Sequence, residues 1–334
     1  MRIAVDAMGG DYAPEEVVRG GVDAALGQPA VSKVLLVGRA DDVRRELDRC
    51  PPAREKIEIV PASEVVGMDE APAQAVRRKK DSSIGRAVDL VREGAADAVV
   101  SAGNTGAVVV AATLKLRTLE GVERPAIGTV MPTVAGPFVL VDAGANTDCS
   151  ATLLVQFAEM GCVYSRLILG RENPSVALLS IGGEAVKGNE TTKEAFRMLS
   201  RSRLNFQGNV EGHDLYRGTS DVVVCDGFVG NIVLKTSESA AHAIGTWMKR
   251  EFRKGPIRLL GAGLLRGALR SMKRRMDPEL YGGAPLLGVR GVCIITHGAS
   301  SRRAIFHAVR IACESVAQGL NQRIVKEIAD TARG

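Results

Sequence analysis

Short apolar runs punctuate this chain, and six of them stop at a turn rich in Gly, Asn, Asp or Ser before helix-like sequence resumes. The turns are Asp6-Ala7-Met8-Gly9-Gly10-Asp11, Ser101-Ala102-Gly103-Asn104-Thr105-Gly106, Asp142 through Asp148, Gly182 through Asn189, Asp226-Gly227-Phe228-Val229-Gly230-Asn231, and His297 through Ser301. Strands that feed helices through such turns predict a parallel sheet with many of the turns gathered along one edge, where ligands bind. Small residues there expose backbone N–H groups, and helix N-termini add positive potential. The combination suits phosphate or another small oxyanion.

The pattern predicts strands at Ile3–Val5, Val34–Val37, Ile57–Val60, Ala98–Val100, Phe138–Val141, Val176–Ile181, Val222–Cys225 and Val292–Thr296. Pro14-Glu15-Glu16 and Asp41-Asp42 read as helix starts, with proline early and acids in the first turn. A further helix is expected after Asp81-Ser82-Ser83, running to about Glu93. Thr191-Thr192-Lys193-Glu194 fits a capping box, which puts the Lys187 loop between a strand end and a helix start.

One region breaks this rhythm. After Asn231 a long amphipathic helix is expected to about Lys254, where Gly255-Pro256 stops it. An apolar, glycine-rich tip follows, with Ile257, Leu259, Leu260, Leu264 and Leu265. A second helix then carries Leu265, Ala268, Leu269, Met272 and Met276 on one face and ends at Asp277-Pro278. Residues 231–280 thus read as a helical hairpin projecting from a single α/β domain that occupies all of 1–334.

Composition narrows the class. With 46% hydrophobic and 25% charged residues the chain is globular, and aromatics at 4% leave packing to Val, Leu, Ile and Ala. The N-terminus reads as a strand, not a secretion signal, and no run reaches the length of a membrane span. Six scattered cysteines without a C-x-x-C pair fit a reducing cytoplasm. The four histidines form no i,i+4 pair, so no metal site is expected. The net charge of +6 is uneven: 249–275 holds ten Lys/Arg and one Glu, and the remainder of the chain is net acidic. A local acidic partner is implied.

The candidate chemistry has plain alternatives. Asn104, Asn146, Asn189 and Asn231 each close a glycine-containing turn, either to line a ligand cleft or to satisfy left-handed backbone positions. Lys187, between glycines and ahead of a helix, binds an anion or is simply solvated; the P-loop spacing is absent. An NAD-dependent hydroxyacid dehydrogenase of similar fold is the competing reading, but Gly9-Gly10 lacks the G-x-G-x-x-G spacing of nicotinamide sites, so no cofactor is expected. His213 and His297 receive no role, and Ser300 and Ser301 read as caps of the final helix. The basic hairpin reads as a solvated helix pair in a dimer, as a nucleic-acid surface without a recognisable motif, or as a contact with an anionic membrane. The Leu259-Leu260 and Leu264-Leu265 pairs favour the membrane, and nucleic acid is not expected as a partner.

Taken in order, the opening Ile3 to Asp11, Asp81-Ser82-Ser83, Ser101 to Ala107, Asp142 to Asn146, Lys187-Gly188-Asn189-Glu190, Gly208 to Gly212, Asp226 to Asn231 and His297 to Ser301 resemble the PlsX phosphate acyltransferases nearly end to end. That resemblance implies a Rossmann-like α/β fold similar to isopropylmalate dehydrogenases and phosphate acetyltransferases, in a homodimer peripherally attached to the membrane. It implies transfer of an acyl group from acyl-acyl carrier protein to inorganic phosphate for phospholipid synthesis. It carries catalytic roles to Lys187 and Asn231. By the same resemblance Asp6, Gly9, Gly10, Asn104, Thr105, Asn146, Gly188, Asn189 and Gly230 are expected to contact phosphate or substrate.

Overall fold

The computed structural model describes residues 1–51, 55–275 and 278–332. In chain order the elements are β1 (Arg2–Asp6), α1 (Glu15–Gly27), β2 (Lys33–Gly38), α2 (Ala40–Leu47), β3 (Ile57–Pro61), α3 (Pro72–Arg78), α4 (Ser83–Arg92), β4 (Ala98–Ser101), α5 (Thr105–Leu116), β5 (Ala126–Met131), β6 (Phe138–Val141) and α6 (Ala151–Ile168). They continue with β7 (Ser175–Leu179), α7 (Glu190–Arg201), β8 (Asn205–Val210), β9 (Val222–Val224), α8 (Gly227–Phe252), α9 (Pro256–Leu264), α10 (Arg266–Arg275), β10 (Ala284–Leu287), β11 (Val292–Ile295), α11 (Arg302–Ala317) and α12 (Leu320–Ala332).

The strands form one eleven-stranded sheet in the order β3-β2-β1-β4-β11-β10-β5-β6-β9-β7-β8. It is mainly parallel and flanked by helices, as the sequence pattern predicts. Alternation within each strand explains why both faces are covered. Ile3, Val5, Val34, Leu36 and Ile294 pack under α1 and α11, while Ala4, Leu35, Val37, Val99 and Cys293 pack under α4 and α5. In the other half Val139, Val176, Leu178 and Val222 meet α6, and Phe138, Leu140, Leu179 and Val223 meet Val229 and Val233 of α8.

Three antiparallel ladders, β11–β10, β10–β5 and β5–β6, interrupt the sheet. They reverse its sense, so β6, β9, β7 and β8 run opposite to β3, β2, β1, β4 and β11. The expectation that many of the turns gather along one edge is therefore corrected: they divide into two groups of three. The turns after β1, β4 and β11 leave strand ends pointing one way, and those after β6, β7 and β9 leave ends pointing the other. The registers Ala284↔Ile295, Leu286↔Ile127 and Gly128↔Val141 stagger the halves. The C-terminal ends Ile295 and Val141 come within about two residue rises of each other along the strands, three strand spacings (roughly 14 Å) apart across them. One apolar cluster bridges the groups, joining Ala107, Val108 and Ile295 to Ala143 and to the partly buried Ala145 and Leu234.

The helical excursion differs in detail from the expected hairpin. α8 starts at Gly227, before Asn231, because the Asp226 side chain caps it by accepting from Val229 N–H. The apolar tip is itself a helix, α9, with no buried residue, and α10 follows it directly. Met276 and Asp277 lie outside the described residues.

Candidate active site

The turn after β6 is built on one carboxylate. Asp142 is fully buried and accepts five hydrogen bonds. Its Oδ1 receives the N–H of Ile127 at 2.9 Å, Gly144 at 3.1 Å and Ala145 at 3.0 Å. Its Oδ2 receives the Asn146 N–H at 2.7 Å and the Asn146 Nδ2 at 2.9 Å. Burial pushes the Asp142 carboxyl up from its ordinary value, and these donors oppose the shift. Successive amides arranged this way form an anion nest, and here the chain's own carboxylate fills it. Asn146 also donates Nδ2 to the Pro125 carbonyl at 2.8 Å, so its amide donors brace the loop.

The start of α8 is locked onto that loop. Gly227 N–H donates to the Asn146 carbonyl at 2.7 Å. A Cβ on Gly227 would meet that same oxygen at 2.7 Å, so only glycine fits this approach. Asn231, one turn further, lies beside Gly144, whose φ of +139° turns the loop past it. Leu178 of β7 pairs with Val224 of β9, so the segments carrying Lys187 and Asn231 leave adjacent strands.

Lys187 is exposed and has no ion-pair partner among the described residues. Its stem folds over Gly182, and its N–H donates to the Glu184 carbonyl at 3.0 Å. Gly188 follows at φ +101°. Asn189 then caps α7, its Oδ1 accepting from Thr192 N–H at 2.8 Å. The cap is thus Asn189 with Thr192, and the expected Thr191–Glu194 capping box is corrected. Neither Asn104 (φ −54°) nor Asn189 (φ −83°) is left-handed; the glycines beside them take the positive φ angles where one is needed.

The turns after β1, β4 and β11 form the other group. Asp6 is buried, accepts from the Ser101 hydroxyl at 2.7 Å and from Met8 N–H at 3.3 Å, and burial pushes its carboxyl up. Gly9 and Gly10 lie against Gly103, Ala102 and Gly298, and Asp11 N–H donates to the Gly298 carbonyl at 2.8 Å. Asn104 caps α5 through Ala107 N–H and directs Nδ2 at the carbonyls of Gly67, Met68 and Glu70. Its donors hold a neighbouring loop, while Thr105 beside it is exposed.

Other nucleophiles and bases are engaged elsewhere. Burial pushes Cys149 up to about 11, with Asp142 adding to the shift, and Cys225 well above its ordinary value. Neither supplies a thiolate near neutral pH. His297 Nδ1 accepts from Ala299 N–H at 3.1 Å, and His213 pairs with Asp214 at 3.3 Å. Ser301 caps α11 as expected, although α12 is the last helix. No metal-holding cluster occurs among the described residues. Sequence reading assigned no role to Asp142 or Asp226. The signal was present in both, an Asp opening a glycine-rich turn, which favours bonds to the N–H groups that follow.

The family described as "Fatty acid synthesis protein" matches residues 1–323. Phosphate acyltransferases from Desulforamulus reducens and Heliobacterium modesticaldum are similar to this chain at 50% and 49% identity. The first alignment covers 100% of this chain and 99% of the relative, the second 98% of each. A phosphotransacetylase from Streptococcus pyogenes shares the fold, with a TM-score of 0.65 at 19% identity over 95% of this chain and 94% of the other. These relatives do not favour the hydroxyacid dehydrogenase reading. Matched from end to end at half identity, the chain belongs to the PlsX family of phosphate acyltransferases of fatty acid synthesis.

Proposed function

We propose that the acyl donor is an acyl-acyl carrier protein thioester, that inorganic phosphate attacks it directly, and that Lys187 and Asn231 serve the transfer. The observation that supports this reading is the adjacency of β7 and β9, parallel strands from whose neighbouring ends the segments carrying the exposed Lys187 and Asn231 depart. Phosphate is already an anion near neutral pH and needs no strong base. A thiol with an ordinary value of about 8.5 leaves without a strong acid. Positioning and charge compensation remain.

In this reading Lys187 offsets charge on phosphate or on the tetrahedral oxyanion, and Asn231 donates a hydrogen bond to one of them. The N-termini of α7 and α8, with Gly188, Asn189 and Gly230, add positive potential. A phosphate oxygen bonds to the acyl carbon, the C–S bond breaks, and the departing thiolate takes a proton from water. The raised Cys149 and Cys225 thiols argue against a cysteine acyl-enzyme. Asp6, Asn104 and Asn146 act through loop positioning, and Gly9, Gly10 and Thr105 are the proposed contacts of the other turn group.

The same reading gives the enzyme a cytoplasmic setting, a homodimeric state and peripheral attachment to an anionic membrane through α9. The acidic carrier protein and the membrane are the candidate partners of the basic 249–275 segment. The test is thiol release from acyl-carrier protein. Release that requires both phosphate and acyl-carrier is expected. Unchanged turnover in Lys187→Ala removes Lys187 from the chemistry, and a trapped covalent acyl-enzyme removes direct attack.

A further inference from the structure

Apolar side chains stand exposed at the place where this reading puts the chemistry. Ile181 and Val186 flank the Lys187 loop and are 80% and 75% exposed. Phe228 and Ile232, one turn apart on α8, are 59% and 49% exposed. Their exposure follows from the packing. Val229 and Val233 face the sheet and bury against the cluster of Leu179, Val223 and Cys225. Phe228 and Ile232 each precede one of those residues, about 100° around the helix, and so project from its flank. Leu179 is the last residue of β7, so the first turns of α8 cross the strand end from which Ile181 and Val186 emerge.

Four large apolar side chains on two neighbouring segments, beside a lysine without an ion-pair partner, need an apolar occupant. The reaction supplies one, because an acyl thioester carries a hydrocarbon chain that leaves water when its carbonyl reaches the site. Acyl carrier protein meets a protein surface with acidic side chains, so its own docking is not what this patch fits. We infer that Ile181, Val186, Phe228 and Ile232 form the surface on which the acyl chain lies and determine chain-length preference. The inference rests on the proposed placement of the chemistry at Lys187 and Asn231. The chain runs from the reacting carbonyl between the Lys187 loop and the flank of α8. Each methylene that reaches the patch adds buried area, so its contribution grows with chain length.

The experiment compares butyryl- and palmitoyl-acyl carrier protein as donors for the full-length enzyme. The variants are Val186→Ser, the double variant Phe228→Ser with Ile232→Ser, and Phe228→Leu as the conservative control. For the serine variants kcat/KM with the palmitoyl donor is expected to fall about tenfold or more, from lost apolar contact, with the butyryl donor changed less than about twofold. Phe228→Leu should retain the palmitoyl rate. Equal loss at both lengths overturns the inference, as does no loss at either, or loss that accompanies a change in oligomeric state by sedimentation. Lys187→Ala, measured alongside, tests the underlying placement separately: it should slow both donors alike, whatever the serine variants do.

Discussion

Gly230 of α8 approaches Asp142 so closely that a Cβ at position 230 would lie 1.9 Å from the Asp142 carbonyl oxygen. At the same junction Ala145 N–H donates to the Asp142 carboxylate and Gly227 N–H to the Asn146 carbonyl. The helix that carries Asn231 therefore rests on the loop that Asp142 organises, and Gly230 is the position where a methyl cannot be accommodated. Gly230→Ala should shift the first turn of α8 and cost about 1–3 kcal/mol of stability by overpacking. Turnover should fall further than stability does, because Asn231 moves with the turn. Thermal melting and initial rates on one preparation check this; unaltered rates would detach the turn from the chemistry.

Asp142→Asn tests the nest itself. The replacement turns one acceptor into an NH2 group facing N–H donors, leaving buried donors without partners. The expected loss is about 2–3 kcal/mol in denaturant unfolding. Asp142→Ala should cost at least as much. A neutral effect would mean that the loop keeps its shape without the carboxylate.

Much of this was legible from sequence. β1, β2, β4, β6, β9 and β11 are unbroken apolar runs, and a parallel strand buried on both faces leaves that signature. β10 was not legible because Pro285 interrupts its apolar run and argues against a strand. β8 was missed because it is a polar edge strand. α6 gave no amphipathic period because it is buried on nearly every side, Phe157, Met160 and Tyr164 included. Missing β5 and β10 hid the reversal of sheet direction, and with it the division of the turns into two groups. The candidate site was half legible. Lys187 and Asn231 stood out, but the five-donor cage of Asp142 is set by Ile127 as well, which is remote in sequence.

A buried glutamate couples the C-terminal helix to pH. Glu159 of α6 is 3% exposed and lies near Thr331 of α12, whose hydroxyl donates to the Glu327 carbonyl at 3.2 Å. Burial pushes its carboxyl up to about 7, and the nearby Glu327 carboxylate, itself paired with Arg166 at 2.7 Å, adds to the rise. A raised carboxyl is held neutral in the folded state. Its contribution is fully present below the ordinary value of 4.5 and is lost as pH rises toward about 7. A shift of that size corresponds to about 3 kcal/mol. The stability advantage of the wild type over Glu159→Gln should therefore shrink between pH 4.5 and pH 7 and stay level above. Denaturant unfolding across that range measures it; a pH-independent difference would place Glu159 in contact with water.

α9 presents the other surface that needs a partner. Ile257 and Leu264 are 85% and 82% exposed, Leu259, Leu260 and Leu265 stand beside them, and Arg266 and Arg270 follow on α10. None of the described helices is long and apolar enough to cross a membrane. In the proposed membrane attachment this element lies in the interface, leucines among the acyl chains and arginines against the headgroups. Leu259→Glu with Leu264→Glu removes two apolar anchors and adds two charges that anionic headgroups repel. Binding to phosphatidylglycerol-containing vesicles should fall by roughly a hundredfold, corresponding to about 3 kcal/mol. Thiol release from a soluble acyl-carrier substrate should persist, since α9 has no buried residue to unfold. High salt should weaken wild-type binding without abolishing it, because the apolar contribution is not screened. Vesicle flotation of wild type and variant at two salt concentrations separates the contributions; unchanged flotation of the double variant would move the membrane contact elsewhere.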